Sequence, residues 1–138
     1  GSAADAQHLS SELVGRYEKE RHGFPAFSLS TDVSALTALG NDYGFESIFS
    51  RQISAIGRKG DILLALSTSG NSKNIIKAVR TANQMGIYTI GLIGRNGGEL
   101  KKLTNHSLII KSERTCRIQE MHGFLIHICC ELFDRNIK

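Results

Sequence analysis

A cluster of hydroxyl side chains follows an apolar run near the middle of the chain. Residues 63–72 read LLALSTSGNS, a buried strand followed by four hydroxyls: Ser67, Thr68, Ser69 and Ser72. A helix is predicted to begin near Ser72, and ligands of open α/β sheets bind where strands end. The free N–H groups of a helix N-terminus attract anions, so we expect a phosphate here. The alternative is a polar loop in which Asn71 or Ser72 caps the helix.

Two helical segments each carry a pair of polar side chains that could contribute to one site. His8 and Glu12 are four residues apart, so one helix face would bring both near one point. Gln119 and His127 lie two turns apart in the last helical segment. Glutamate and histidine can act as general base and general acid, and both can bind a Lewis-acidic metal. An ordinary polar helix face is the alternative for His8 and Glu12.

The composition limits the class of protein. The 138 residues are 41% apolar and contain no linker or repeat, so we expect one domain over residues 1–138. No apolar run reaches the roughly 18 residues that span a bilayer, so no membrane contact is expected. Three cysteines without a CxxC pair favour a reducing cytoplasm. The net charge of +4 is spread along the chain, which favours small anionic ligands over nucleic acid.

Apolar strands alternate with helices in the second half of the chain. Strands are predicted at 62–66, 88–93 and 107–110, and helices at 72–85, 98–103 and 114–135. In the first half we predict helices at 2–19, 31–39 and 48–56, a short strand at 26–30, and a turn at GNDYGF. This pattern predicts an α/β three-layer sandwich in which helices flank a mostly parallel sheet.

Four motifs occur in the order that they have in a known family. They are GSAADAQH at residues 1–8, GNDYGF at 40–45, STSGNS at 67–72 and RIQEMHGFLIH at 117–127. With them the chain resembles the sugar isomerase (SIS) superfamily, and within it the sedoheptulose-7-phosphate isomerases. The resemblance implies a flavodoxin-like SIS domain. It also implies conversion of sedoheptulose 7-phosphate to D-glycero-D-manno-heptose 7-phosphate through an enediol, for bacterial heptose, lipopolysaccharide core or capsule synthesis.

The resemblance also implies roles for individual residues. Glu12 would be the catalytic base and His127 its acid–base partner. A zinc ion would be bound by four side chains: His8, Glu12, Gln119 and His127. The substrate would be contacted by nine residues: Ser2, Glu12, Asn41, Asp42, Ser67, Thr68, Ser69, Ser72 and Gln119. Turn chemistry is the alternative for Asn41 and Asp42, because both residue types tolerate unusual backbone angles.

Helix geometry places a condition on that zinc site. Eight residues of α-helix rise ~12 Å, so Gln119 and His127 would both have to reach along the axis to share one ion. We therefore expect one of the two to come from a neighbouring copy. This agrees with the homotetramer and interfacial active sites that the resemblance implies.

Two features of the sequence differ from the family pattern. Family members begin with further helices and a first strand ending in GNGGS, so we expect this SIS domain to be incomplete at its N-terminus. Cys116 stands where members carry aspartate or alanine.

Two non-catalytic functions are alternatives to the isomerase. One is a SIS-domain regulator that resembles the DnaA initiator-associating protein, a kind that typically lacks equivalents of Glu12 and His127. The other is a sugar-phosphate-sensing domain of a transcriptional regulator.

Overall fold

Three parallel strands form the centre of the protein. The computed structural model describes residues 1–137. Its elements are α1 (Ser2–Val14), α2 (Val33–Tyr43), α3 (Ile48–Ile56), β1 (Ile62–Ser67), α4 (Lys73–Gln84), β2 (Tyr88–Gly94), α5 (Leu100–Leu103), β3 (His106–Ile110) and α6 (Thr115–Asn136). The strands lie side by side in the order β1-β2-β3, and both pairs are parallel.

Side chains alternate between the two faces of this sheet and so define three layers. On one face Leu66 and Leu92 pack with Ile126 of α6 and Leu9 of α1. On the other face the core cluster consists of Ala65, Ile76, Val79, Ile93 and Leu100, from β1, α4, β2 and α5. Helix α3 packs on α4 and extends that second layer. The predicted three-layer α/β sandwich with a parallel sheet is thereby confirmed.

The predictions from Ile62 onward are confirmed to within about two residues at each boundary, whereas three predictions in the first half are wrong. Helix α1 ends at Val14 rather than near Lys19, and α2 continues through GNDY to Tyr43 before Gly44 ends it with φ +80°. Residues 26–30 form no strand. Their polar groups are bonded to helices instead: Gln52 donates to the Leu29 carbonyl and Gln7 donates to the Ser30 hydroxyl.

Helices α1 and α6 run parallel across one face of the sheet. Their contacts advance together along both elements: the Gln119 amide lies against Gly1, His127 lies beside His8, and Asp134 meets the backbone just after α1. Leu9 and Ile126 bury the apolar side of this pair against the sheet. One face of α1 is therefore held against one face of α6 over its whole length.

A buried ion pair closes the end of this helix pair. Arg21 Nε lies 2.9 Å from Asp134 Oδ1, and the two side chains are 5% and 3% exposed. The N–H groups of Glu18 and Lys19 each donate to Asp134 Oδ2 at 2.8 Å. Arg21 also donates to the carbonyl of Glu12 at 2.8 Å. Because both charges are fully hydrogen-bonded, the pair avoids the cost of an unpaired buried charge.

Two loops at the carboxyl edge of the sheet are joined backbone to backbone. Leu100 N–H donates to the carbonyl of Gly70 at 3.0 Å, and Glu99 N–H donates to Asn71 Oδ1 at 3.0 Å. A Cβ on Gly70 would lie 2.3 Å from the carbonyl oxygen of Gly97, so only glycine allows this approach. The loop after β1 and the loop after β2 thus form one unit.

Among residues 1–137, no helix combines the length and apolar character that a membrane crossing requires.

We predict that Asp134→Asn lowers the stability of the fold at neutral pH and that this loss becomes smaller at acidic pH. Hydrogen bonds from the Lys19 N–H and from Arg21 lower the pKa of Asp134 from 3.8 to about 2. A carboxyl whose pKa is lower in the folded state stabilises the fold above the unfolded-state pKa, and this contribution disappears as the pH falls from about 4 to about 2.

Thermal melting of both proteins between pH 7 and pH 2 measures this effect. Asp134→Asn should melt at a lower temperature than the parent at pH 7, and the difference should shrink below pH 4. A difference that stays constant down to pH 2 would contradict the assignment.

Candidate active site

Three polar side chains from α1 and α6 meet on the outer side of the helix pair. His8 Nε2 lies 3.2 Å from Glu12 Oε1 and 3.4 Å from His127 Nε2. The two imidazole rings meet edge to face, with centroids 5.0 Å apart. The side chains of His8 and Glu12 are 40% and 24% exposed, and His127 is exposed. The site is therefore open on one side, and a substrate can reach these groups.

The parallel pairing of the helices explains why these three residues meet. The four-residue spacing sets His8 above Glu12 on one face of α1. The packing of α1 on α6 then brings His127 to the same place within one chain. His127 therefore lies beside His8 within one chain. The expectation that a neighbouring copy contributes one of the two residues stays a prediction for Gln119.

The donor atoms of this cluster have nearly the separations that a zinc ion requires. Zinc–nitrogen bonds of ~2.0–2.1 Å at tetrahedral angles separate neighbouring donors by roughly 3.3–3.4 Å. The His8–His127 and His8–Glu12 contacts have nearly this spacing. As they stand, residues 1–137 hold no group of three or more His, Cys, Asp or Glu side chains positioned around a metal. The donor set and these two spacings thus fit zinc.

Gln119 and Ser2 lie at the other end of the helix pair. The Gln119 amide contacts Gly1, and Ser2 is the first residue of α1. Gly1 precedes His8 by seven residues, or about 10 Å of helix. In the described part of the chain, no hydrogen bond joins Gln119 to His8, Glu12 or His127. The structure thus does not bring Gln119 to the other three proposed ligands. This agrees with the prediction from helix rise that Gln119 and His127 of one chain lie far apart along α6.

The hydroxyl cluster is placed where β1 ends and α4 begins, as predicted, but part of it is engaged within the loop. Ser67 is 2% exposed, and its hydroxyl lies 3.1 Å from that of Ser72 and accepts from the N–H of Gly70. Ser69 accepts from the N–H of Asn71. Thr68, Ser69 and Ser72 are half-buried, so they remain within reach of a ligand.

The N-terminus of α4 faces this loop without a side-chain cap. Ser72 stands at the N-cap position but makes no capping bond, which argues against a purely structural role as N-cap. Lysines near the loop are engaged elsewhere: Lys77 donates to the Ser47 hydroxyl at 2.8 Å, and Lys73 pairs with Glu46 at 3.2 Å. An anion here would therefore be held by hydroxyls and helix N–H groups rather than by these lysines.

Asn41 and Asp42 lie away from the cluster, in the last turn of α2. Both are exposed, and the Asn41 amide donates to Asp42 Oδ1 at 2.9 Å. Because α2 includes them, the turn chemistry weighed as an alternative does not describe them, and their contact with substrate stays a prediction. Nothing in the described contacts joins them to His8, Glu12 or His127.

The structure draws attention to residues that the sequence did not single out. Tyr17 stacks beside His127 with ring centroids 5.8 Å apart. His122, on α6, is fully buried, and neither of its ring nitrogens has a hydrogen-bond partner among residues 1–137; the same holds for Asp5 Oδ2. Desolvation lowers the pKa of His122, and the charge of Asp5 opposes this shift. His122 and Asp5 belong to α6 and α1, the helices that carry the site. The residues around a histidine in the sequence do not show whether it is buried, so sequence analysis could not single out His122.

Cysteine chemistry has no support at this site. Cys130 lies in the same helix, but it is fully buried, and desolvation raises the pKa of its thiol to about 11. A nucleophilic cysteine requires a lowered pKa. Cys116 is exposed at the start of α6.

Comparison with known proteins gives one consistent result. The SIS domain family profile matches residues 1–94. Phosphoheptose isomerases from a Helicobacter pylori strain and from a Nitratiruptor species are 54% and 52% identical over 136 residues. These residues make up 99% of this chain and 71% and 73% of the relatives.

Solved structures agree with the sequence relatives. The phosphoheptose isomerase of Neisseria gonorrhoeae superimposes with a TM-score of 0.91 at 46% identity, covering 97% of this chain and 71% of that one. The enzyme of Francisella tularensis gives 0.93 at 40% identity, with 98% and 72% covered. The chain therefore belongs to the SIS domain family and, within it, to the phosphoheptose isomerases.

Proposed function

We propose that this protein isomerises sedoheptulose 7-phosphate to D-glycero-D-manno-heptose 7-phosphate. The observation that carries the proposal is the meeting of Glu12 and His127 beside His8 on one open face. The membership of the phosphoheptose isomerases supports the substrate. The product would serve bacterial heptose synthesis, and three free cysteines fit a cytoplasmic location.

The cluster divides the proton transfers between two residues. Glu12 has two carboxylate oxygens, and only Oε1 faces His8. Glu12 would remove a proton from C1 of the ketose, next to its carbonyl, and return a proton to C2. His127 would move a proton between the two oxygens that exchange carbonyl and hydroxyl character. Both groups lie on rigid helices, so the reacting atoms can be held in a fixed geometry.

We further propose that His8, Glu12 and His127 hold a zinc ion, with Gln119 as the fourth ligand that the family resemblance implies. When bound, the ion would polarise the substrate carbonyl and stabilise enediolate charge as a Lewis acid. Two histidines and one carboxylate are a usual set of protein ligands for a catalytic zinc ion. Because Gln119 lies toward the start of α1, it would reach this ion by rearrangement or from a neighbouring copy.

A homotetramer with active sites between subunits is also proposed. Met121, Phe124 and Leu132 are 40%, 56% and 51% exposed, and with Ile128 they form an apolar stripe on the side of α6 away from the sheet. His127 lies between this stripe and the buried face. A partner helix covering the stripe would therefore close the open side of the site.

Exchanging Glu12 for glutamine is predicted to lower the isomerisation rate by about 10²–10⁴-fold, the usual contribution of a general base. The side chains are similar in volume, and Arg21 bonds the Glu12 backbone rather than its carboxylate, so the fold should persist. Proton NMR of sedoheptulose 7-phosphate in heavy water reports aldose product and deuterium at C2.

The matched control is Glu20→Gln, because Glu20 is 89% exposed and pairs only loosely with Arg16. The zinc content of each variant is measured in parallel, which separates loss of the base from loss of the metal. Turnover by Glu12→Gln within tenfold of the parent would refute its role. No turnover by the parent itself, with zinc supplied, would favour the non-catalytic regulator.

Zinc binding is predicted to depend on both histidines. His8→Gln and His127→Gln should each weaken zinc by more than about 100-fold, since even outer-shell changes cost 10–100-fold. Titration against a coloured chelator gives the affinities. His106→Gln, an exposed histidine on β3, is the control and should bind like the parent. Equal affinity in all four proteins would rule out this ligand set.

Assembly is predicted to fail when the apolar stripe is charged. Phe124→Asp should convert the tetramer to smaller species, because burying an unpaired carboxylate in an apolar interface costs several kcal/mol. Light scattering after size exclusion measures the mass. Ser54→Asp, on an exposed position of α3, should leave the mass unchanged. If Phe124→Asp remains tetrameric, the apolar stripe is not the subunit interface.

A further inference from the structure

A cationic groove lies at the carboxyl ends of β2 and β3, apart from the cluster around His8. It is an open depression with a volume of about 490 Å³. Its lining consists of Arg95, Asn96, Lys101, Ile109, Lys111, Ser112 and Glu113. Ligands of parallel α/β sheets bind beyond the carboxyl ends of the strands, so the groove has the right position for a site.

The charge of this groove is only partly neutralised. Within residues 1–137, neither Lys101 nor Lys111 takes part in an ion pair, and both are exposed. Arg95 pairs with Glu113 at 3.8 Å, but Glu113 is 84% exposed. Such a long, solvated pair contributes little and can exchange its partner. Three cations facing one carboxylate leave a net positive field in a concave surface, which attracts anions.

The backbone of the groove is shaped in an uncommon way. Among residues 1–137, Arg95 is the one residue other than glycine with a positive φ, at +57°. This conformation is unfavourable for a residue with a Cβ, and such residues concentrate at functional sites. Gly97 packs closely against two of the lining residues: a Cβ there would lie 2.8 Å from Lys101 Cβ and 3.0 Å from Ile109 Cδ1. The loop thus holds Arg95 close to Lys101 and Ile109.

We propose that this groove binds a small phosphorylated metabolite, with phosphoryl oxygens on Arg95, Lys101 and Lys111 and the body of the ligand over Ile109. Asn96 and Ser112 add neutral hydrogen-bonding groups at the rim. The cavity is larger than one phosphate needs, which favours a ligand with more than one phosphoryl group or with an organic body. None of the serine loop's hydroxyls lines the groove.

Calorimetric titration of the full chain with inorganic pyrophosphate tests the proposal. The double variant Lys101→Gln/Lys111→Gln should bind at least tenfold more weakly than the parent. Lys59→Gln/Lys102→Gln removes the same charge from exposed lysines that do not line the groove, and it should bind within twofold of the parent. All four positions are exposed, so both proteins should fold.

Two results would overturn the proposal. One is an equal loss of pyrophosphate affinity in the two double variants, which would show that only the net charge of the protein matters. The other is parent-like affinity in Lys101→Gln/Lys111→Gln or no binding by the parent at millimolar pyrophosphate. Turnover is not part of this measurement, and pyrophosphate bound at the serine loop would contribute equally to both double variants, because neither changes that loop.

Discussion

The parallel pairing of α1 with α6 is the constraint on which the candidate site depends. His8 and Glu12 belong to one helix and His127 to the other, and 115 residues separate Glu12 from His127 in the chain. The Arg21–Asp134 pair fixes the relative position of the two helices at one end, and the apolar contacts of Leu9 and Ile126 fix their rotation. Since Arg21 also bonds the Glu12 carbonyl, the same arginine that closes the pair holds the backbone of the proposed base.

The sheet and its helices could be predicted from the sequence because their signals are local. Continuous apolar strands such as ILLALS and amphipathic helices such as α4 depend on side chains within a few residues. The end of α1 could not be predicted in this way, because Glu18 and Lys19 donate to Asp134, which lies more than a hundred residues away. The segment at 26–30 was misleading for a similar reason: Phe27 is exposed while Ser28 is buried, the reverse of what its alternating pattern indicates.

The candidate site was predictable in its residues and less so in its geometry. Helix rise correctly separated Gln119 from His127, but it could not show that α1 runs parallel to α6 and so reaches His127 within one chain. The serine loop illustrates a second limit. Its hydroxyls suit a phosphate, yet Ser67 and Ser69 already stabilise the loop itself. A residue type indicates what a side chain can bind, whereas its surroundings decide how much of that capacity remains free.

The backbone contact between Gly70 and Gly97 has a consequence for how this protein can change over evolutionary time. The backbones of the two loops touch at these glycines, and the Asn71 side chain accepts a hydrogen bond from the Glu99 N–H across the contact. An insertion in either loop would push its neighbour away, so the two must be inherited as a matched set. Altered ligand preference would therefore arise through substitutions within loops of constant length, and a chimaera that takes only one of them from a distant relative would lose both.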